Sequence, residues 1–176
     1  MNLLDLIPIF HRWIQEQALD DLLIDVAEYT HMYRGPGVLV IAHEGNYGYD
    51  EAGGERGLVY YSKQNLPEPE LAARMVTVAC KGLQACARFL GETGLARQVA
   101  FPCNRIQVFA NDRLRAPNTD TAWAEFEPAV NTLAARLFPD QDRSVQRCNS
   151  DSRDRLAAII HTNKMTEPEA LLARLG

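Results

Sequence analysis

The string Tyr33-Arg34-Gly35-Pro36-Gly37 forces the chain to reverse direction. Glycine reaches positive φ without steric cost, and proline holds φ at about −65°. The segment therefore reads as a turn. Residues 22–32 before it and 38–49 after it are rich in β-branched and aromatic side chains, which predicts a long antiparallel hairpin. Gly53, Gly54 and Gly57 then lie among acids, and Leu58-Val59-Tyr60-Tyr61 supplies a third strand, so a meander is expected. Residues 7–15 fit two patterns. Ile7, Ile9, His11, Trp13 and Gln15 share a strand face, whereas Phe10, Trp13, Ile14 and Gln17 share a helix face. Pro8 and the β-rich content favour an edge strand.

Helical spacing takes over after Pro67-Glu68-Pro69-Glu70, a stretch suited to a helix start. Leu71, Met75, Val78, Ala79, Leu83, Cys86, Phe89 and Leu90 form one apolar stripe, which Gly91 or Gly94 ends. A strand is expected over 106–114 from the alternation of Ile106, Val108 and Ala110 with polar neighbours. A second helix carries Trp123, Phe126, Val130, Leu133 and Leu137 and stops at Pro139, with Pro128 expected to kink it. Residues 145–148 and 156–162 fit a last hairpin, although 154–162 also fits a helix. Thr166 and Glu169 have capping-box spacing ahead of a short terminal helix. Strands, then helix, strand, helix and strands again are not the alternation of a parallel sheet. The expectation is an α+β fold over 1–176 as one domain: an antiparallel meander with two main amphipathic helices packed on one face and a short C-terminal helix.

With 176 residues, 47% of them hydrophobic, the chain can bury a core without staples. Eighteen Lys and Arg against 23 Asp and Glu give a net charge of −5, which argues against a nucleic-acid or anionic-membrane binder. Asp5 interrupts the first apolar stretch and the first basic residue is Arg12, unlike a secretory signal. The four cysteines, at 80, 86, 103 and 148, form no CxxC pair. A cytoplasmic protein with reduced thiols and no structural zinc is expected.

The densest polar constellation comprises Asp25, Glu28, Tyr29 and His31 before the turn and His43, Glu44, Asn46, Tyr47, Tyr49 and Asp50 after it. A tight hairpin would set Glu28 opposite His43 or Glu44. A carboxylate beside an imidazole is a workable proton-transfer pair, and the competing reading is a cross-strand pair on a solvated face. His43 and Glu44 point to opposite faces as strand neighbours, and no H-E-x-x-H spacing occurs, so no metal is expected there. A site combining His11, His31 and a hairpin carboxylate has no motif behind it. The glycines at 53, 54 and 57 lack the Lys-Ser/Thr of a phosphate loop. Cys80 and Cys103 fit packed thiols better than nucleophiles. Arg113, in Asn111-Asp112-Arg113, and Asn118, in Ala116-Pro117-Asn118-Thr119, mark a second cluster that could contact a carboxylate or phosphate, or simply cap the second helix.

Two functions follow from these residues. One is a non-catalytic module that binds a small apolar or anionic ligand through Arg113, Asn118, Tyr47 and His31, or that self-associates as a homodimer. The other is a small acid/base enzyme using His43 with Glu28 or Glu44. The residues name no cofactor.

Overall fold

A computed structural model describes residues 2–32, 35–50, 56–92 and 99–176. Among the described residues the strands form two antiparallel sheets, and four α-helices accompany them, in keeping with the α+β class and its short C-terminal helix. The chain divides into two units. Met1–Leu66 with Val78–Phe101 forms the first, and Pro67–Thr77 with Pro102–Gly176 forms the second. No helix among the described residues is long and apolar enough to cross a membrane.

The first unit begins with a helix where the sequence favoured an edge strand. In α1 (Leu6–Glu16), Leu6, Phe10 and Trp13 are buried, and their spacing of four and three puts them on one helical face. Pro8 is the third residue of the helix, where an amide has no intrahelical acceptor, so its missing N–H costs little. Gln17 ends the helix in the left-handed region at φ 47. Its side chain holds it there: Nε2 donates to the Ile14 and Leu23 carbonyls at 2.8 and 3.0 Å, and Oε1 accepts from the Leu23 amide at 3.1 Å.

Four strands follow as a meander: β1 (Leu23–Glu28), β2 (Val38–Ala42), β3 (Gly45–Asp50) and β4 (Gly57–Ser62). The glycine-proline segment lies in the loop joining β1 to β2, with 33–34 outside the described residues. Gly37 there has φ +67, and its carbonyl accepts the Tyr29 amide at 2.7 Å. The single strand expected over 38–49 is two strands, because the chain reverses again at His43-Glu44. That reversal pairs Val38 with Tyr49 and Ile41 with Asn46. Residues 51–55, which hold Gly53 and Gly54, lie outside the described residues, as does Gly94. One sheet face carries Val38, Val40, Ala42, Tyr47, Tyr49 and Tyr60 into a core shared with Leu6, Phe10 and Trp13 of α1 and with Ala85 and Phe89 of α2 (Leu71–Leu90).

The second unit holds β5 (Arg105–Phe109), α3 (Asp120–Leu137), β6 (Arg143–Arg147), β7 (Ala157–Thr162) and α4 (Pro168–Leu175), with strand order β5-β7-β6. Residues 157–162 thus form a strand, and the expected last hairpin is present. Thr119 caps α3 by accepting the Ala122 amide at 3.3 Å. Buried Phe126, Val130, Leu133 and Leu137 give α3 its core face. The helix continues through Pro128, which sits on the exposed side. There the carbonyl that loses its partner can be hydrated. The capping box does not form. Glu167 is the residue before α4, and the Thr166 amide donates instead to the Pro102 carbonyl at 2.8 Å.

Two glycines of the first unit make opposite demands. A Cβ at Gly37 would be driven into the Tyr49 carbonyl oxygen from a positive φ, whereas a Cβ at Gly57 meets nothing within 4 Å. Denaturant unfolding should therefore show Gly37→Ala destabilised by roughly 1–3 kcal/mol, with Gly57→Ala near neutral. Equal effects at both positions would contradict this account.

Candidate functional site

Of the residues expected to form an acid/base pair with His43, Glu28 is held away from it and Glu44 lies next to it in the chain. Glu28 stands opposite Val38, not His43 or Glu44. Its carboxylate accepts from the Thr30 amide at 2.6 Å and from the Thr30 hydroxyl. These bonds lower its pKa, with a smaller contribution from His31. A carboxyl held below its ordinary range is a weak proton acceptor at neutral pH. His31 is exposed, with Nδ1 3.8 Å from Glu28 Oε2. His43 lies exposed in the β2–β3 turn, and Glu44 beside it pairs with Lys81 Nζ at 3.1 Å. His11 sits on α1, a helix, so it does not share a strand neighbourhood with His31. Among the described residues no three of His, Cys, Asp and Glu are grouped as a metal ion would require. Burial, then Glu167 and Glu169, push the Cys103 thiol up to about 11, which leaves little thiolate for nucleophilic attack.

The second expected cluster is a structural lock. Asn118 is 2% exposed. Its Nδ2 donates to the Asn149 carbonyl and Oδ1, each at 3.2 Å, and to the Asp151 carbonyl at 2.9 Å. Its Oδ1 accepts from Arg147 Nε and Nη2 at 3.0 and 2.8 Å. Both ends of the amide are thus engaged by protein, and the side chain ties residues 149–151 to the start of α3. Arg113 is exposed and donates to the Arg153 carbonyl. Truncating Asn118 would strand the two Arg147 donors and two backbone carbonyls. Asn118→Ala should lower stability by about 2–3 kcal/mol in chemical denaturation. A loss within experimental error would mean that the amide is not the lock described.

Tyr47 is the one candidate that leads to an incomplete site. In the first unit, the loop before β1 brings Asp20 and Asp21 to the turn between β2 and β3. Asp21 Oδ1 accepts the Glu44 amide at 3.1 Å, and the Glu44 carbonyl accepts the Lys63 and Gln64 amides at 2.9 and 3.3 Å. Lys81 of α2 reaches the Asp20 carbonyl and Glu44, while Lys63 Nζ donates to the Ala42 carbonyl. Tyr60 lies beside Tyr47 with ring centroids 4.7 Å apart, and its hydroxyl end covers the backbone of Gly45, where a Cβ would collide with the ring. Against this bonded surround, the Tyr47 hydroxyl and Asp21 Oδ2 are buried and unmatched among the described residues, as are Asn46 Oδ1 next to Tyr47 on β3 and, in the second unit, Glu68 Oε2 and Arg74 Nε.

Both tyrosines stay protonated well beyond neutrality. Burial comes first in raising Tyr60 to about 12, followed by Asp21 and Glu44. Burial raises Tyr47 further, with Tyr60 and then Asp21, Glu44 and Asp20 adding to it. Below pH about 10, the ordinary tyrosine value, both hydroxyls are protonated whether folded or unfolded, and the fold loses nothing. Above it the unfolded chain ionises first, so stability falls as pH rises from about 10 through the folded values. Unfolding midpoints should decline above pH about 10, and ultraviolet absorbance should report tyrosines that ionise above that ordinary value. Midpoints flat across that range would contradict their burial in this polar surround.

Asp21, Gly45 and Lys81 were not singled out from the sequence as site residues, and Tyr60 was marked there only as a core or cavity-lining aromatic. Only Lys81, one of three cations spaced by seven along α2 with Arg74 and Arg88, carries a signal that could have marked it. No protein-family model, no curated protein and no solved structure matches the chain.

Proposed function

We propose that the protein is a non-catalytic, cytoplasmic binding module that holds a small polar ligand at the turn end of its four-stranded sheet. The observation that carries this reading is the unmatched pair of buried atoms, the Tyr47 hydroxyl and Asp21 Oδ2. Leaving a buried donor or acceptor without a partner costs roughly 1–3 kcal/mol each. A ligand that donates to Asp21 and accepts from Tyr47 recovers both costs. A neutral or cationic group suits the site better than an anion, because Asp20, Asp21 and Glu44 supply three carboxylates there. Arg113, the expected anchor for an anion, is already engaged by the Arg153 carbonyl. The enzyme alternative has less behind it, since Glu28 bonds Thr30, Glu44 pairs with Lys81 and His43 is exposed. The cysteines, which are thiols and not disulfides, suit a reducing compartment.

Tyr47→Phe separates a binding site from a mere packing fault. It deletes the unmatched hydroxyl and keeps the ring, so the ligand-free variant should be at least as stable as the wild type. Native mass spectrometry should find an added mass on purified wild-type protein that Tyr47→Phe has lost. A wild type of bare chain mass, or an added mass that survives Tyr47→Phe, would overturn the reading.

A further inference from the structure

The donors and acceptors at the turn end of the first sheet restrict the chemistry of what can bind there. A phenol hydroxyl carries one proton to donate, whereas an ionised carboxylate oxygen only accepts. Burial holds Tyr47 protonated well past neutrality, so at neutral pH its hydroxyl needs an acceptor. Tyr47 is 1% exposed, and its hydroxyl and Asp21 Oδ2 are bonded neither to each other nor to any other described residue. Asn46 Oδ1 is unmatched too, but strand neighbours point to opposite sheet faces, so it stands apart from this pair. A group seated with the pair must accept one proton from Tyr47 and donate another to Asp21. An ammonium donates only and a carboxylate accepts only, so each would leave one of the two atoms unmatched.

Resting on the binding reading above, we propose that the ligand is a neutral polyol, a saccharide or a smaller polyhydric alcohol, with one hydroxyl set between Tyr47 and Asp21. A hydroxyl donates and accepts at a single atom and turns to suit both partners. The surround asks the same of the ligand's neighbouring atoms. Lys63 gives one of its three N–H groups to the Ala42 carbonyl, and Lys81 gives two, to the Asp20 carbonyl and Glu44. Ammonium donors therefore remain beside the carboxylates of Asp20 and Glu44, and adjacent hydroxyls can meet either kind. Lys63 and Lys81 also offset two of the three carboxylates, so the surround leaves little net charge for an ionic ligand to balance. A primary amide donates and accepts as well, but at two fixed atoms. Once those are engaged by Tyr47 and Asp21, a small amide has little left for the lysines and acids around them.

Nuclear magnetic resonance titration of the exhaustively dialysed full chain tests the proposal, with glycerol and glucose as polyol probes against propylammonium, acetamide and acetate at matched ionic strength. Glycerol or glucose should shift the Gly45 and Tyr47 amides saturably. Tyr47→Phe removes the donor and should weaken that binding about tenfold. The other three probes should bind more weakly than the better polyol. Should Tyr47→Phe fail to fold, Asp21→Asn takes its place, because it removes the charge that the ligand hydroxyl bonds, and a loss of about tenfold is expected again. Propylammonium, acetamide or acetate binding as tightly as the better polyol would overturn the polyol and leave the binding module standing. A polyol shift that does not saturate, or that survives the folded variant unweakened, would overturn it as well. Native mass spectrometry then separates the two failures: an added mass that depends on Tyr47 leaves the binding module in place, and a bare chain mass removes both.

Discussion

A buried carboxylate holds the first unit together. Glu92, just past the end of α2, is 4% exposed and accepts from Trp13 Nε1 at 2.8 Å, from Arg88 at 2.9 Å and from Arg12. A buried indole N–H needs an acceptor, and a buried carboxylate needs donors, so each group makes the other tolerable. Arg88 also reaches Glu16 at 2.9 Å and lies over the Trp13 ring. Two arginines and an indole from α1 and α2 thus converge on one acid, which fastens the two helices at that point. The aromatic core is organised around the same residues. Phe89 packs edge-on against Trp13 and stacked on Tyr49, with centroids 6.2 and 5.4 Å away.

That clamp also positions the candidate site. Lys81, Ala85 and Phe89 are spaced by four and share a face of α2. With Phe89 fixed in the core, Lys81 lies about 12 Å back along the helix, where it meets Glu44 and the Asp20 carbonyl. The turn at His43-Glu44 is held by tertiary contacts more than by turn chemistry, since neither residue is a glycine or proline and Asp21, Leu22, Lys63 and Gln64 supply its partners. The two polar clusters differ in how complete they are. Around Asn118 the amide's oxygen and nitrogen both have protein partners, as expected of a group that stabilises a loop. Around Tyr47 the hydroxyl and Asp21 Oδ2 have no partner among the described residues. The proposed binding reading rests on that contrast.

Much of the fold was legible because it rests on local rules. The stripe from Leu71 to Leu90 and the face of Phe126, Val130, Leu133 and Leu137 follow from periodicity and stand where expected, whereas the strand expected over 106–114 is Arg105–Phe109 and ends five residues early. Residues 7–15 misled because Trp13 fits both periods and Pro8 suggests a strand edge, whereas the first turn of a helix accommodates proline equally well. The register misled for a related reason. Glycine and proline at 35–37 promised a tight turn, and the tight turn formed eight residues later at His43-Glu44. Of the site, Tyr47 was legible as part of a polar constellation. Asp21 and Lys81 were not, because sixty residues separate them and only packing brings them near the same turn.

The amino-acid sequence by itself determined the α+β class, the extents of the two long helices and the presence of a short terminal one. These depend on hydrophobic period and on backbone preferences of single residues. Tertiary structure alone decided that the strands divide into two sheets, that Glu28 faces Val38, and that Asn118 is consumed by its own loop while Tyr47 and Asp21 are left unmatched. Register and hydrogen-bond completion depend on partners distant in the chain, and no local preference encodes where those partners will stand.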